Sequence, residues 1–423
     1  IIGAGSVVFT RRLLQDIVST PSLAEAQISL MDLDSERLNL IGRFADRLVE
    51  DAGSGNTVVT TTDRANALGD ADYVITTIRV GDDLKIDQGI PLKYGVDQSV
   101  GDTIGPGGVF KALRTVPVLL DIAQDIEEIC PEAVLLQYTN PMAIACWAIA
   151  ESTDVRVVGL CHSVQGTTSQ LASYIQAPIE TISVWVAGIN HMAWFLRFER
   201  DGEDAYPEIW NALRQPETYS KDPVRFEVMR HFGFFVSEST RHMSEYVPYF
   251  RKSPALMETF NLNEISADLS RLEKRNDMYF GEMEAEISGD TPLVFNRSNE
   301  YASRIMDSIE TGDPTIINGN VPNHGLISNL GDGSCVEVPC LVDDLGIHPL
   351  TVGKLPPQLA ALNRSNIAVQ ELAVQAVLQG DRDLAKHAVM LDPLTASMLP
   401  LGDIEAMFDE MWEAHADQLN SYL

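Results

Sequence analysis

Apolar residues in the first 190 positions fall into short continuous runs, separated by stretches with helical spacing. "AQISLMDLD" (26–34), "NTVVTTTD" (56–63), "ADYVITTIRV" (71–80), "AVLLQYTNP" (133–141) and "VRVVGLCH" (155–162) read as strands. A strand buried on both faces loses the in–out alternation of a half-exposed one, so such runs predict a parallel sheet covered by helices on both sides. The segments between them supply the helices. "SERLNLIGRFADRLVEDA" (35–52) has its apolar residues on one helical face behind a Ser35 cap. "VFKALRTVPVLLDIAQDIEEICP" (109–131) predicts a long helix that kinks or begins at Pro117. This alternation predicts an α/β fold whose N-terminal domain, residues 1–190, is a doubly wound Rossmann unit. The rhythm changes after "GINHMAW" (188–194). Helical patterns dominate from about residue 207, including 269–287 and 357–391. The remainder, 191–423, is expected to be a mixed α+β substrate and oligomerisation domain, as in lactate and malate dehydrogenases. No Gly/Ser linker marks the boundary, which predicts a shared interface.

Composition narrows the function classes. At 423 residues and 45% hydrophobic content the chain can bury a large core without disulfides. Acidic residues outnumber basic ones 61 to 30, a formal charge of −31. Such a surface repels nucleic acid and anionic membranes, and no run of eighteen apolar residues suggests a membrane span. Cys130, Cys146, Cys161, Cys335 and Cys340 are odd in number, widely spread and set in apolar surroundings. That pattern predicts reduced thiols and a cytoplasmic location. A nucleotide loop this near the first residue also leaves little room for a signal peptide.

That loop is "IIGAGSVVF". Gly3 and Gly5 stand in the positions of a dinucleotide fingerprint, although Val8 replaces its third glycine. Gly5 lets the backbone approach a pyrophosphate, and the following helix N-terminus favours the anion. Asp32, at the end of the next strand, is placed to accept hydrogen bonds from the adenosine ribose and to disfavour a 2′-phosphate, hence NAD rather than NADP. The candidate NAD-contacting set is Gly3, Gly5, Ser6, Asp32, Ile78 and Arg79. A second glycine-rich stretch, "DQSVGDTIGPGGVFKALRT" (97–115), follows the strand-like run 71–80 and carries Asp97, Gln98, Asp102 and Thr103. Ligands in such sheets bind beyond the strand carboxyl ends, so this loop is a candidate substrate or nicotinamide wall. "GLCHSVQGT" (159–167) and "GINHMAW" each end an apolar run with a histidine, the first beside a cysteine. Thiolate plus imidazole suits a borderline divalent ion, and two protein ligands leave positions open, as a catalytic metal requires. A buried free thiol and a hydrogen-bonded core histidine are the alternative reading.

Taken together, "GAGS", "DLD", "IPLKYGV", "GDTIGPGG", "YTNPM", "CHSVQGT" and "GINHMAW" resemble glycoside hydrolase family four, along essentially the whole chain. The likeness continues through "SEYVPYF", "NEYASRIMDSI", "INGNVPNHGLISNL" and "VEVPCLVDDLGIHP". "CHSV" resembles the α-galactosidase branch, and His162 then implies an unphosphorylated sugar. The resemblance implies an NAD- and metal-dependent glycosidase, an exception to the usual two-carboxylate rule. It implies transient oxidation at C3 of the sugar by NAD, deprotonation at C2, elimination of the C1 substituent, addition of water and return of the hydride. It implies Cys161 and His191 as ligands of Mn2+ or another divalent cation, Asn140 as a substrate contact and His162 as the acid. Tyr246 is the candidate base, with Asp102 its rival, and Lys93 is expected to contact substrate or Asp102. α-Galacturonidase, α-glucuronidase and α-glucosidase are alternatives within the family. A 2-hydroxy-acid dehydrogenase and a non-catalytic NAD sensor are the alternatives outside it. A homodimer or homotetramer is expected.

Overall fold

The computed structural model describes residues 1–81, 84–262, 269–295 and 297–419, with the backbone alone for 269–277. After a one-residue strand stub at Ile2, the helix Val7–Val18 leads to β1 (Gln27–Met31), and the helix Ser35–Ala52 leads to β2 (Thr57–Thr61). β3 (Tyr73–Thr76) precedes a 25-residue helix, Gly105–Ile129; then come β4 (Val134–Gln137), the helix Met142–Ser152 and β5 (Arg156–Leu160). β1 pairs in parallel with β2, and β3, β4 and β5 pair in parallel in that order. Ile2 bridges Met31 on one side and Thr76 on the other, which joins the two groups. The doubly wound reading of the N-terminal pattern therefore holds.

Three local expectations change. Asp34, not Ser35, caps the second helix: its carboxylate accepts the Glu36 and Arg37 N–H groups, and Gly53 ends the helix at φ +62°. The helix drawn at 109–131 starts at Gly105 with Pro106 in its first turn and carries Pro117 in its interior. Half of the second glycine-rich stretch is thus helical. The reason is packing: a Cβ on Gly107 would lie 2.4 Å from the Gly101 carbonyl oxygen, and one on Gly108 would lie 2.6 Å from the Thr103 carbonyl carbon. Those glycines let the helix start press against the loop before it. The pattern at 357–391 is two helices, Pro357–Gln379 and Arg382–Leu391, broken where Gly380 takes φ +63° and Asp381 caps the second.

The sheet does not stop at residue 190. β6 (Ile182–Ile189) and β7 (Met192–Arg200) form a hairpin, and β8 (Glu203–Asp204) extends it. Late in the chain β9 (Thr315–Pro322) inserts beside β5 with Gly159 opposite Asn320, and β10 (Cys335–Asp343) lies between β9 and β6. β11 (Gly346–Pro349) pairs with β10. The order β3-β4-β5-β9-β10-β6-β7-β8 is one mixed sheet, parallel at one end and antiparallel at the other. The helix Pro357–Gln379 packs on the helices Gly105–Ile129 and Met142–Ser152, so C-terminal chain covers part of the N-terminal sheet. Trp194 on β7, fully buried, donates its indole N–H to Asn363 of that helix at 3.0 Å. Among the described residues no helix is long and apolar enough to cross a membrane.

Candidate active site

The nucleotide loop has the geometry its glycines predict. Gly3 sits at φ +87°, and a Cβ there would lie 2.8 Å from the Ile78 nitrogen and 2.8 Å from the Thr77 carbonyl carbon. Gly5 donates its N–H to Asp32 Oδ2 at 2.7 Å, and the Asp34 N–H occupies Oδ1 at 2.9 Å. Asp32 thus holds the turn, and each of its carboxylate oxygens keeps a further lone pair able to accept a hydrogen bond. Ser6 stands at the N-cap of Val7–Val18 without using its hydroxyl there. Gly3, Gly5, Ser6, Asp32, Ile78 and Arg79 all line one cleft of about 570 Å³. Its far wall was not legible in the pattern. Tyr279 and Phe280, on the helix Leu269–Ser288, reach back over the cleft, with the Arg37 guanidinium 5.7 Å from the Phe280 ring centroid.

Cys161 follows β5, and His191 is the tip of the β6–β7 hairpin at φ +62°. Sγ and His191 Nε2 are 3.4 Å apart. A third donor joins them. Glu238 Oε2 is 3.4 Å from the same nitrogen, and the three donor atoms all lie within 4.8 Å of one another. Glu238 also has a left-handed backbone, φ +75°. Non-glycine residues rarely take that conformation, and both cases aim a donor at this point. A divalent ion about 2.0–2.3 Å from each donor, with angles of about 90–110°, separates neighbouring donors by roughly 3–3.7 Å. The residues therefore fit a cation. The sequence analysis missed Glu238; the available signal was "ESTRH", which puts an acid four residues before His242 in a segment that also holds Tyr246.

The surroundings orient these donors. His191 Nδ1 is 3.5 Å from Tyr246 Oη; the Tyr246 hydroxyl donates to Thr103 Oγ1 at 2.9 Å, and Thr103 Oγ1 lies 2.8 Å from His242 Nε2. That chain holds the imidazole with Nε2 toward Cys161 and Glu238. Burial pushes the Cys161 thiol up to about 11, helped by the Glu238 charge and opposed by hydrogen bonds from Ser163 and Asn190. Burial also works to raise Glu238, but His191 and His242 overcome it and hold that carboxyl at about 2. Tyr246, 1% exposed, is pushed well above the ordinary phenol range, first by burial.

Asp102 and Asn140 meet beside this group. Asp102 Oδ2 accepts from Lys111 Nζ at 3.2 Å and from Asn140 Nδ2 at 3.4 Å. Asp102 Oδ1 and Asn140 Oδ1 are buried without a partner among the described residues, which suits a site awaiting hydroxyl groups. Burial would raise the Asp102 carboxyl; Lys111, His242 and His191 together bring it below the usual carboxylate range. Of the two contacts expected of Lys93, the one with Asp102 is not made. Lys93 lies on the surface with its amine 2.7 Å from Glu410, because the short helix Gly89–Lys93 turns it toward the C-terminal helix Leu401–Ala414. Lys111, on the first turns of the long helix, is the cation that meets Asp102. His162 stands at the N-cap position of the helix Ser163–Tyr174 without a capping bond from its ring; its side chain is 64% exposed, and Nδ1 is 3.7 Å from Glu300 Oε1. Glu245 is fully buried and accepts from Ser99, Val100 and Gly101, which anchors the loop carrying Asp102.

Comparisons with known proteins identify the family and the fold. The family model described as family 4 glycosyl hydrolase matches residues 1–177, and that of the family 4 glycosyl hydrolase C-terminal domain matches residues 186–395. An α-galactosidase of Bacillus subtilis (strain 168) is 40% identical over 430 residues, covering 100% of this chain and 98% of its own. A solved 6-phospho-α-glucosidase from gut microorganisms, 23% identical, shares the fold with a TM-score of 0.84 over 99% of this chain and 97% of its own. Malate dehydrogenase from Plasmodium falciparum, 12% identical, superposes with a TM-score of 0.54 over 88% of this chain and 96% of its own, which agrees with the expected dehydrogenase-like architecture. Two family models that between them span most of the chain, and a relative matched end to end, make this chain a member of the family 4 glycosyl hydrolases.

Proposed function

We propose that this glycosidase hydrolyses α-galactosides and requires NAD and a divalent cation, manganese foremost. The observation that supports the reading most is the convergence of Cys161, His191 and Glu238 on one point, within the same fold as the Gly3–Gly5–Asp32 cleft. The α-galactosidase name belongs to the relative at 40% identity, and the solved 6-phospho-α-glucosidase was obtained in complex with NAD and Mn2+. In this reading residues 1–190 carry the dinucleotide and residues 191–423 complete the sugar site. Bound in these places, the dinucleotide supplies a reversible hydride acceptor and the cation a Lewis acid for neighbouring sugar oxygens.

The chain's own residues then have distinct tasks. Gly3, Gly5, Ser6, Ile78 and Arg79 hold the dinucleotide, and Asp32 takes its ribose hydroxyls. Asn140 orients the sugar, since an amide both donates to and accepts from hydroxyl groups. Asp102 is ionised and has an oxygen without a partner among the described residues, so it is placed to take a proton, but its depressed carboxyl is the weaker base of the two. Tyr246 is protonated in the unliganded protein and needs positive charge beside His191 before it acts as a base. His162, at the open side, donates to the leaving oxygen. Five buried thiols, free in the structure, support a reducing cytoplasmic setting, and a homodimer or homotetramer belongs to the same proposal.

The test is hydrolysis of a panel of aryl α- and β-galactosides, glucosides and uronides with NAD+, Mn2+ and a reductant. Turnover of the α-galactoside with no net NADH is expected, and deuterium at C2 or C3 of the sugar should slow it. Cys161→Ser is expected to abolish turnover while calorimetry shows NAD binding unchanged. NADH accumulating in step with product overturns the reading in favour of a dehydrogenase.

A further inference from the structure

Glu300 is a buried acid that none of the roles above uses. It lies where three parts of the molecule meet. Its N–H donates to Ser298 Oγ at 3.1 Å, and Ser298 in turn donates its N–H to Asp16 Oδ1 at 2.7 Å and its hydroxyl to Oδ2 of the same carboxylate. Asp16 belongs to the helix that follows the nucleotide loop. Two residues on, the Ala302 N–H donates to the Tyr138 hydroxyl at 3.1 Å, in the segment that leads from β4 to Asn140. The backbone around Glu300 is therefore pinned between the dinucleotide helix and the substrate loop.

The side chain is 4% exposed, yet its carboxyl accepts no hydrogen bond among the described residues. Burial pushes this carboxyl up to about 7 although Arg12 opposes the shift. The group that faces it is the His162 ring, with Nδ1 3.7 Å from Oε1. That separation is just beyond a hydrogen bond, and catalytic contacts in unliganded sites are often long and tighten when substrate enters. Glu300 lies at the protein wall and the His162 side chain is 64% exposed. The two ring nitrogens point in nearly opposite directions. With Nδ1 against Glu300, Nε2 lies at the opposite edge of this largely exposed ring.

We infer that Glu300 is a positioning residue whose carboxylate holds His162 Nδ1–H and so directs Nε2–H at the glycosidic oxygen. The inference rests on the reading of His162 as the acid. In the donating form both ring nitrogens carry hydrogen, one engaged by Glu300 and one presented to substrate. As the C1–O bond breaks, its electron pair goes to the departing oxygen, which takes the Nε2 proton. The water that later adds at C1 returns a proton to the pair.

The experiment uses α-galactosides whose leaving groups range from nitrophenol to simple alcohols, with saturating NAD+ and Mn2+. Wild type, Glu300→Gln, His162→Asn and the double variant are compared. Help from an acid matters most for poor leaving groups, so Glu300→Gln should lower kcat/KM about 30-fold or more on alkyl galactosides and less than about 3-fold on nitrophenyl ones. In the His162→Asn background the same substitution should cost nothing further. NAD and Mn2+ affinities by calorimetry should match wild type. A loss equal across leaving groups, a loss that adds to that of His162→Asn, or a weakened cofactor affinity overturns the inference. If His162→Asn is itself insensitive to the leaving group, the acid assignment falls and the inference with it. A sensitive His162→Asn beside a flat Glu300→Gln removes the inference alone.

Discussion

Replacing Glu245 by glutamine tests how the substrate loop is held. Its Oε1 accepts the Ser99 N–H at 2.6 Å, the Val100 N–H at 2.8 Å and the Ser99 hydroxyl at 3.1 Å, and Oε2 accepts the Gly101 N–H at 3.0 Å. Three consecutive amides thus converge on one carboxylate, with the buried Arg251 guanidinium 3.9 Å away. Glutamine keeps one oxygen and turns an amide NH2 toward a donor. One buried N–H then loses its acceptor, the remaining bonds lose their charge assistance, and Arg251 loses a counter-charge. Bonds to charged groups are worth about 1.5–3 kcal/mol against about 0.5–1.5 for neutral ones, and breaking a buried pair costs about 3–5 kcal/mol. We expect Glu245→Gln to destabilise the protein by about 3–5 kcal/mol on this reckoning. Asp102 and Thr103 directly follow the anchored amides, so misplacing them should also cut kcat by about 100-fold. Urea unfolding gives the first number, steady-state kinetics the second, and hydrogen exchange at residues 99–101 reports the loop itself. An unchanged urea midpoint with wild-type protection of those amides would refute the reasoning.

Two further outcomes follow from other parts of the molecule. Gly3→Ala forces a side chain into φ +87° and against the Ile78 backbone; it should weaken NAD binding at least about 10-fold, with a stability loss of about 1–3 kcal/mol, and calorimetric binding at wild-type strength would contradict the cradle. Asp392, wholly buried, caps the helix Pro393–Met398 through the Thr395 N–H and hydroxyl, and burial raises its carboxyl to about 6. The folded protein keeps this proton up to about pH 6 while the unfolded chain loses it near pH 4, so stability falls as pH rises through that window. Asn also caps a helix and carries no charge, so Asp392→Asn should gain up to about 3 kcal/mol at pH 7.5 and little at pH 4. Urea midpoints that fall in parallel for both proteins between those pH values would rule the account out.

The chain order of apolar runs was enough to determine the nucleotide half. Strand, glycine turn, helix and acidic strand end are local features, each written within a few residues, and Gly3, Gly5 and Asp32 occupy the places they predict. Cys161 and His191 were visible for the same reason, since each ends an apolar run. What the sequence could not determine is what arrives from far away. Glu238 comes from an irregular segment with no period to mark it, and Tyr279 and Phe280 come from a helix some 240 residues beyond Asp32, judged by sequence number. The exchange of Lys93 for Lys111 has the same origin. Both lysines sit near Asp102 in sequence, and only the directions of two helices decide which one reaches it. The continuity of the sheet past residue 190 likewise depends on β9 and β10, which enter between β5 and β6 from more than 100 residues downstream. Pattern records which face of an element is buried; it carries no record of what buries it, and that pairing is where the third candidate metal donor, the loop anchor and the carboxyl behind His162 were decided.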